Sequence, residues 1–192
     1  MSPFGPVDAA GWLVGAQRRP SPHCDARPEG VEPELAILHN ISLPPGEFGG
    51  GHVAELFLGR LDPGAHPYFA TLEGLRVSAH FLIERDGRVT QFVPCALRAW
   101  HAGVSNFRGR ARCNDWSIGI ELEGTDFTPF EPAQYAALGA LLEKLAARYP
   151  LRHVAGHSDV AAGRKTDPGP EFDWRLLRSV LAERGAALEL PA

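Results

Sequence analysis

The sequence predicts one α/β domain built on a central mixed β-sheet flanked by α-helices, and three patterns carry that expectation. Residues 78–84 and 89–93 flank Asp86-Gly87, a dipeptide suited to the positive φ angles of a tight antiparallel hairpin. Residues 117–123 alternate, with Ile118, Ile120 and Leu122 on one face and Gly119, Glu121 and Glu123 on the other, the two-residue period of a strand. From Pro132 onward, Tyr135, Leu138, Leu142, Leu145 and Tyr149 recur at helical spacing until Pro150 stops the pattern. A strand, a long helix and a further strand in succession require a crossover, so the sheet is mixed. A chain of 192 residues without an internal repeat fits one domain.

Taken in order, residues 1–33 form an N-terminal extension packed on the domain, residues 34–185 the domain itself, and residues 186–192 a C-terminal tail. Residues 18–33 are rich in proline and charge and read as an extended surface connection. The apolar run Leu35-Ala36-Ile37-Leu38 predicts a buried strand over 35–39, handing over to the loop NISLPPGEFGGG. Short helices fit 53–58 and 67–72, followed by the hairpin and then the strand over 117–123. The apolar stripe of the long helix packs on the sheet as core and is not a binding face. A short strand fits 153–157, and a last helix spans 174–184 and ends at Gly185.

The stretch HSDVAAGRKTDPG, residues 157–169, gathers His157, Lys165 and Asp167 in a segment too punctuated for a helix. Gly163 and Pro168-Gly169 break regular structure, so these side chains are expected on a shaped loop. Neutral imidazole and carboxylate are both zinc ligands, and a catalytic zinc keeps three protein ligands with one open position. His39, at the end of the first buried strand, is the best candidate for the third.

Composition narrows the function classes. A formal net charge of −4 and the absence of a basic run argue against a nucleic-acid partner. The first residues lack the basic start and apolar stretch of a signal peptide, and no run reaches membrane-spanning length, so no membrane association is expected. Cys24, Cys95 and Cys113 are odd in number, widely spaced and in no CxxC pattern, which favours free thiols over a disulfide framework or a thiolate zinc site. Together these features suggest the cytoplasm.

The segments ILHNISLPPGEFGG, RVSAHFLIERDG, RAWHAGVS, RCNDWSIGIELEGTDF and GHSDVAAGRKTDPGPEFDW closely resemble the AmpD-type zinc amidases, in order, from about residue 12 to about residue 174. That family comprises cytosolic 1,6-anhydro-N-acetylmuramyl-L-alanine amidases, which cut the amide between the lactyl group of anhydro-muramic acid and L-alanine in recycled cell-wall fragments. The resemblance implies one zinc per chain held by His39, His157 and Asp167, a catalytic glutamate at Glu121 and a catalytic lysine at Lys165. It places substrate contacts at Asn40, Arg76, Trp100 and Arg112, the arginines meeting the peptide's carboxylates. The partner it implies is a small-molecule muropeptide, and no obligate protein partner is evident. His80, His101 and His153 lie near the motifs and are assigned to packing or to support of the ligands. Two other readings compete: action on polymeric peptidoglycan, as in exported relatives, and binding without cleavage. The missing signal peptide counts against the first; the complete ligand and catalytic set counts against the second.

Overall fold

The structure, a computed structural model, describes residues 2–191. In chain order the strands and helices are β1 (Gln17–Arg18), β2 (Cys24–Ala26), β3 (Leu35–Ile41), α1 (His52–Phe57), α2 (Pro67–Ala70), β4 (Phe81–Ile83), β5 (Val89–Gln91), β6 (Leu97–Ala99), β7 (Asn106–Phe107), β8 (Arg110–Ala111), β9 (Ser117–Glu123), α3 (Pro132–Arg148), β10 (His153–Gly156), α4 (His157–Val160) and α5 (Trp174–Glu183). A 3-10 turn, Cys113–Trp116, leads into β9. Six strands form the central sheet in the order β1-β5-β4-β9-β3-β10. The pairs β3 with β9, β3 with β10, β4 with β9 and β1 with β5 are parallel, and β4 with β5 is antiparallel. The sheet is therefore mixed and helix-flanked, as the sequence predicts.

Each face of the sheet is buried by a different set of helices. On one side Leu38, Phe81, Ile118, Ile120 and Leu122 share a cluster with Leu138, Leu141, Leu142 and Leu145 of α3. On the other, Leu82 and Phe92 pack with Val53, Leu56 and Phe57 of α1 and Phe69 of α2. Fully burying a side chain of this size is worth about 1.5–3 kcal/mol. The start of α3 is fixed by one side chain: Gln134 Oε1 accepts from Glu131 N–H at 3.0 Å, and its amide nitrogen donates to the carbonyls of Ile83 and Glu123 at 3.2 and 3.0 Å. That glutamine ties the helix to the ends of β4 and β9. At the hairpin, Gly87 has φ 83°. A Cβ there would also lie 2.8 Å from the Ala133 carbonyl oxygen, so glycine answers two requirements at once.

Several expectations are corrected in detail. The first buried strand runs on to Ile41, because β9 continues to pair with it through Ile41↔Glu123, so His39 lies two residues inside the strand. The hairpin strands shrink to Phe81–Ile83 and Val89–Gln91, and the strand expected over 153–157 stops at Gly156. His157 then opens one helical turn, α4, where the sequence suggests no helix; Gly163 comes too late to prevent a single turn. Residues 18–33 are more than a surface connection: β2 pairs with β6, and Ser21 and His23 are buried. The final residues also engage, Val154 N–H donating to Glu189 O at 2.8 Å and Glu189 N–H to Arg152 O at 2.9 Å.

Candidate active site

Parallel pairing brings the site together. In register, His39 on β3 lies opposite Glu121 on β9, and Leu38 lies opposite Gly156, the residue before His157. Three adjacent parallel strands thus deliver His39, Glu121 and His157 near their carboxyl ends, where open α/β sheets place their ligand crevices. Asp167 arrives from the loop after α4, anchored by Ser158 N–H donating to the Asp167 carbonyl at 2.9 Å. Among the described residues, His39, His157 and Asp167 are the group of potential ligands whose donor atoms converge, all within 4.8 Å of one another.

The outer contact of His157 decides its tautomer. His157 Nε2 lies 3.2 Å from the Ala102 carbonyl, an acceptor, so Nε2 carries the proton and Nδ1 keeps its lone pair. That lone pair faces Asp167 Oδ2 at 2.9 Å and His39 Nδ1 at 3.0 Å, and His39 Nδ1 is 3.0 Å from the same carboxylate oxygen. The His157 lone pair and the Asp167 carboxylate oxygen are both acceptors and repel at this distance unless positive charge sits between them. The donor set therefore fits a metal ion, and two imidazoles with one carboxylate is a zinc-type combination with a position left open.

The electrostatics of the protein alone agree. Burial lowers the His39 imidazole to about 4, so it is neutral, as a ligand must be. Burial would raise Asp167, but its close contacts with the His157 and His39 rings outweigh it, so the carboxyl stays ionised below its usual range and is available to a cation. Burial, reinforced by the Asp167 carboxylate, pushes Glu121 well above the usual range, with Lys165 pulling the other way. Glu121 is 8 % exposed, its Oε1 is 4.0 Å from His39 Nδ1, and its Oε2 has no hydrogen-bond partner. A buried, unpaired carboxylate oxygen beside a ligand cluster is costly to folding and is the kind of group a reaction uses.

These residues line a cleft of about 860 Å³. Its apolar lining comes from Leu43, Leu56, Phe57, Val77 and Trp100, and its polar lining from Thr125, Asp126, Arg164, Lys165 and Thr166. Asn40, Trp100 and Lys165 are among the lining residues, but Arg76 and Arg112 are not. Arg76 lines a neighbouring cavity of about 250 Å³ with His23 and Glu73. Arg112 adopts φ 58° ahead of the 3-10 turn and pairs with Asp115 at 3.0 Å. Sequence reading missed Arg164, whose Nη2 donates to Ala102 O at 2.9 Å and Val104 O at 2.7 Å, although its place beside Lys165 was a usable signal. It also missed Asp126, which accepts from Asn40 at 2.7 Å, and Phe127, 87 % exposed at the cleft.

Comparison with known proteins identifies the family. Residues 29–170 match the family described as N-acetylmuramoyl-L-alanine amidase. The chain is 58 % identical over 174 residues to the 1,6-anhydro-N-acetylmuramyl-L-alanine amidase AmpD of Salmonella typhimurium (strain SL1344), covering 90 % of this chain and 93 % of that protein. A crystal structure of a selenomethionine derivative of AmpD superposes with a TM-score of 0.86 at 56 % identity, covering 90 % of this chain and 97 % of that one. The Escherichia coli amidase AmiD, solved as a complex with the substrate anhydro-N-acetylmuramic acid-L-Ala-D-gamma-Glu-L-Lys, superposes with a TM-score of 0.55 at 32 % identity, covering 93 % of this chain and 65 % of that one. A family match spanning five of the six sheet strands and the ligand cluster, together with close relatives over nine-tenths of its length, places this chain in the N-acetylmuramoyl-L-alanine amidase family.

Proposed function

We propose that this protein is a zinc-dependent amidase that hydrolyses the bond between the lactyl group of 1,6-anhydro-N-acetylmuramic acid and L-alanine in muropeptides, serving peptidoglycan recycling in the cytoplasm. The observation that carries the reading is the convergence of His39 Nδ1, His157 Nδ1 and Asp167 Oδ2 beside a buried, unpaired Glu121 oxygen. The named relatives support the substrate: AmpD is an anhydro-muramyl-L-alanine amidase, and AmiD is described with an anhydro-muropeptide as its substrate. The free thiols of Cys24, Cys95 and Cys113 suit a reducing compartment, and no helix among the described residues is long and apolar enough to cross a membrane.

Hydrolysis of an amide requires activation of water, somewhere for its proton to go, and positive charge where the carbonyl oxygen becomes an oxyanion. Zinc held by His39, His157 and Asp167 would supply Lewis acidity, making water more acidic and polarising the carbonyl. Glu121 is suited to taking the water's proton, because burial keeps its affinity for a proton high, and it can return that proton to the leaving nitrogen. Lys165 places an ammonium on the same side as the ligand loop, where it can oppose the developing oxyanion. Both amide protons of Asn40 are taken, by Asp126 Oδ1 at 2.7 Å and Pro168 O at 3.1 Å, so the group it offers a substrate is its carbonyl oxygen, an acceptor for a peptide N–H. Trp100 provides a flat wall for the sugar. Arg76 and Arg112 keep a proposed role toward the carboxylates of the stem peptide, which extends beyond the bond being cut.

Incubation with a pure anhydro-muropeptide should release the stem peptide, detected by mass spectrometry, and a chelator should abolish the release. Intact cell wall should be cut far more slowly. Faster digestion of the polymer would reassign the chain to wall lysis, and full activity without any stoichiometric transition metal would remove the zinc mechanism.

A further inference from the structure

The ring of His101 sits in the cleft wall against His39, and its backbone neighbour meets His157. His101 Nδ1 lies 2.9 Å from His39 Nε2, and the Ala102 carbonyl lies 3.2 Å from His157 Nε2. Both ligand histidines therefore present Nδ1 to the cluster while their outer nitrogens face consecutive residues of one segment. For His39 to offer its Nδ1 lone pair, its proton must be on Nε2, and the acceptor for that proton is His101 Nδ1. His101 must then carry its own proton on Nε2, which faces Ser117 Oγ at 3.2 Å.

The surrounding frame holds this dipeptide in place. The N–H groups of His101 and Ala102 both donate to Asn114 Oδ1, at 3.3 and 2.8 Å. Arg27 in turn binds the carbonyls of Asn114, Asp115 and Ser117 at 3.2, 2.9 and 2.8 Å. The ring itself needs a gap in the sheet: a Cβ on Gly119 would lie 2.4–2.6 Å from Cγ, Cδ2 and Nδ1 of His101. Gly119 stands two residues before Glu121 on the same face of β9, so the strand that carries the glutamate also makes the seat for this ring.

We propose that the dipeptide His101-Ala102, clamped by Asn114 and seated over Gly119, is the element that orients both metal-ligand histidines, its imidazole fixing His39 and its carbonyl fixing His157. His101 is thus a positioning residue that acts through His39, and its role rests on the zinc reading given above. Partners of this kind fix ligand tautomer and ring orientation, and losing one typically weakens metal affinity by about 10 to 100-fold.

The test is a zinc titration of the chelator-stripped 192-residue chain against a competing indicator, with circular dichroism confirming the fold of each variant. His101→Leu fills similar space but has no acceptor, and should bind zinc about 10 to 100-fold more weakly than the parent. His101→Asn, whose Oδ1 can replace Nδ1 as acceptor, should recover much of that loss, a rescue that a purely space-filling role would not show. Gly119→Ala and Asn114→Ala should each weaken zinc binding although neither residue is a ligand, and they carry the test if His101→Leu fails to fold. In the zinc-loaded parent, imidazole nitrogen NMR should show Nδ1 coordination with a protonated Nε2 on both His39 and His157. Tight zinc binding in the parent that is unchanged in His101→Leu, Gly119→Ala and Asn114→Ala would overturn the proposal alone. Absence of stoichiometric zinc binding in the parent would overturn both the proposal and the zinc reading.

Discussion

Glu121 shows how one side chain can be costly to the fold and useful to the reaction. Its Oε2 is buried without a partner, and burial together with the Asp167 carboxylate raises its proton affinity. Glu121→Gln keeps the shape but cannot take a proton, so zinc content should be retained while kcat falls by about 10²–10⁴; loss of zinc in that variant would make Glu121 a ligand. The same substitution should stabilise the metal-free protein, with a definite pH dependence. Below the unfolded glutamate pKa both states are protonated and the two proteins should be alike. As pH rises toward the elevated folded pKa, only the parent's unfolded state gains by ionising, so the parent should lose stability relative to Glu121→Gln. Urea melts of both stripped proteins from pH 4 upward should diverge in that sense, and parallel curves would show that the carboxyl is not perturbed. Lys165→Ala should keep metal and fold but lower kcat by about 10²–10³, the range for losing one oxyanion donor.

Among the elements, the seam between α3 and α5 is the most exacting contact. A Cβ on Gly139 would lie 2.3 Å from Val180 Cγ1, so the helices approach through the missing side chain. Gly139→Ala should cost about 1–3 kcal/mol by overpacking, and adding Val180→Ala should return part of it; a denaturant-melt double-mutant cycle measures the coupling. Activity per folded molecule should stay near the parent's, since this seam is remote from the cleft. An approach of this kind was not legible in the sequence, where Gly139 is only a poor helix former between Leu138 and Ala140. What was legible had local causes: the Asp86-Gly87 hairpin, the alternation of β9, and the leucine stripe of α3. Strand ends were misjudged because pairing, not composition, decides them, as when β9 carries β3 past His39 to Ile41. The converging cluster could be anticipated because its residues lie in recognisable segments. The seating of His101 over Gly119 and the outward course of Arg112 could not, since each depends on contacts between segments distant in sequence.

For the molecule as a whole, the question is whether zinc holds the fold or only completes the site. The sheet is covered on both faces, and α3 and α5 close a core that includes none of the ligands. His39 is itself paired with Glu121 inside β3, and His157 directly follows β10, which pairs with β3, so the backbone holds both positions without help from a metal. A stripped protein should therefore keep its far-UV circular dichroism and unfold cooperatively. Zinc should then add stability by mass action, about 2.7 kcal/mol at a free concentration one hundred times Kd, which for a domain of this size corresponds to roughly 5–10 °C in Tm. The increment should grow with the logarithm of free zinc. His157→Ala removes a ligand but little core, so its Tm should respond only weakly to zinc and lie near that of the stripped parent. Calorimetric scans at several buffered zinc concentrations separate the alternatives. A stripped parent with no cooperative transition would make the metal structural, and a Tm that ignores zinc in the parent would mean that the convergent cluster does not bind it.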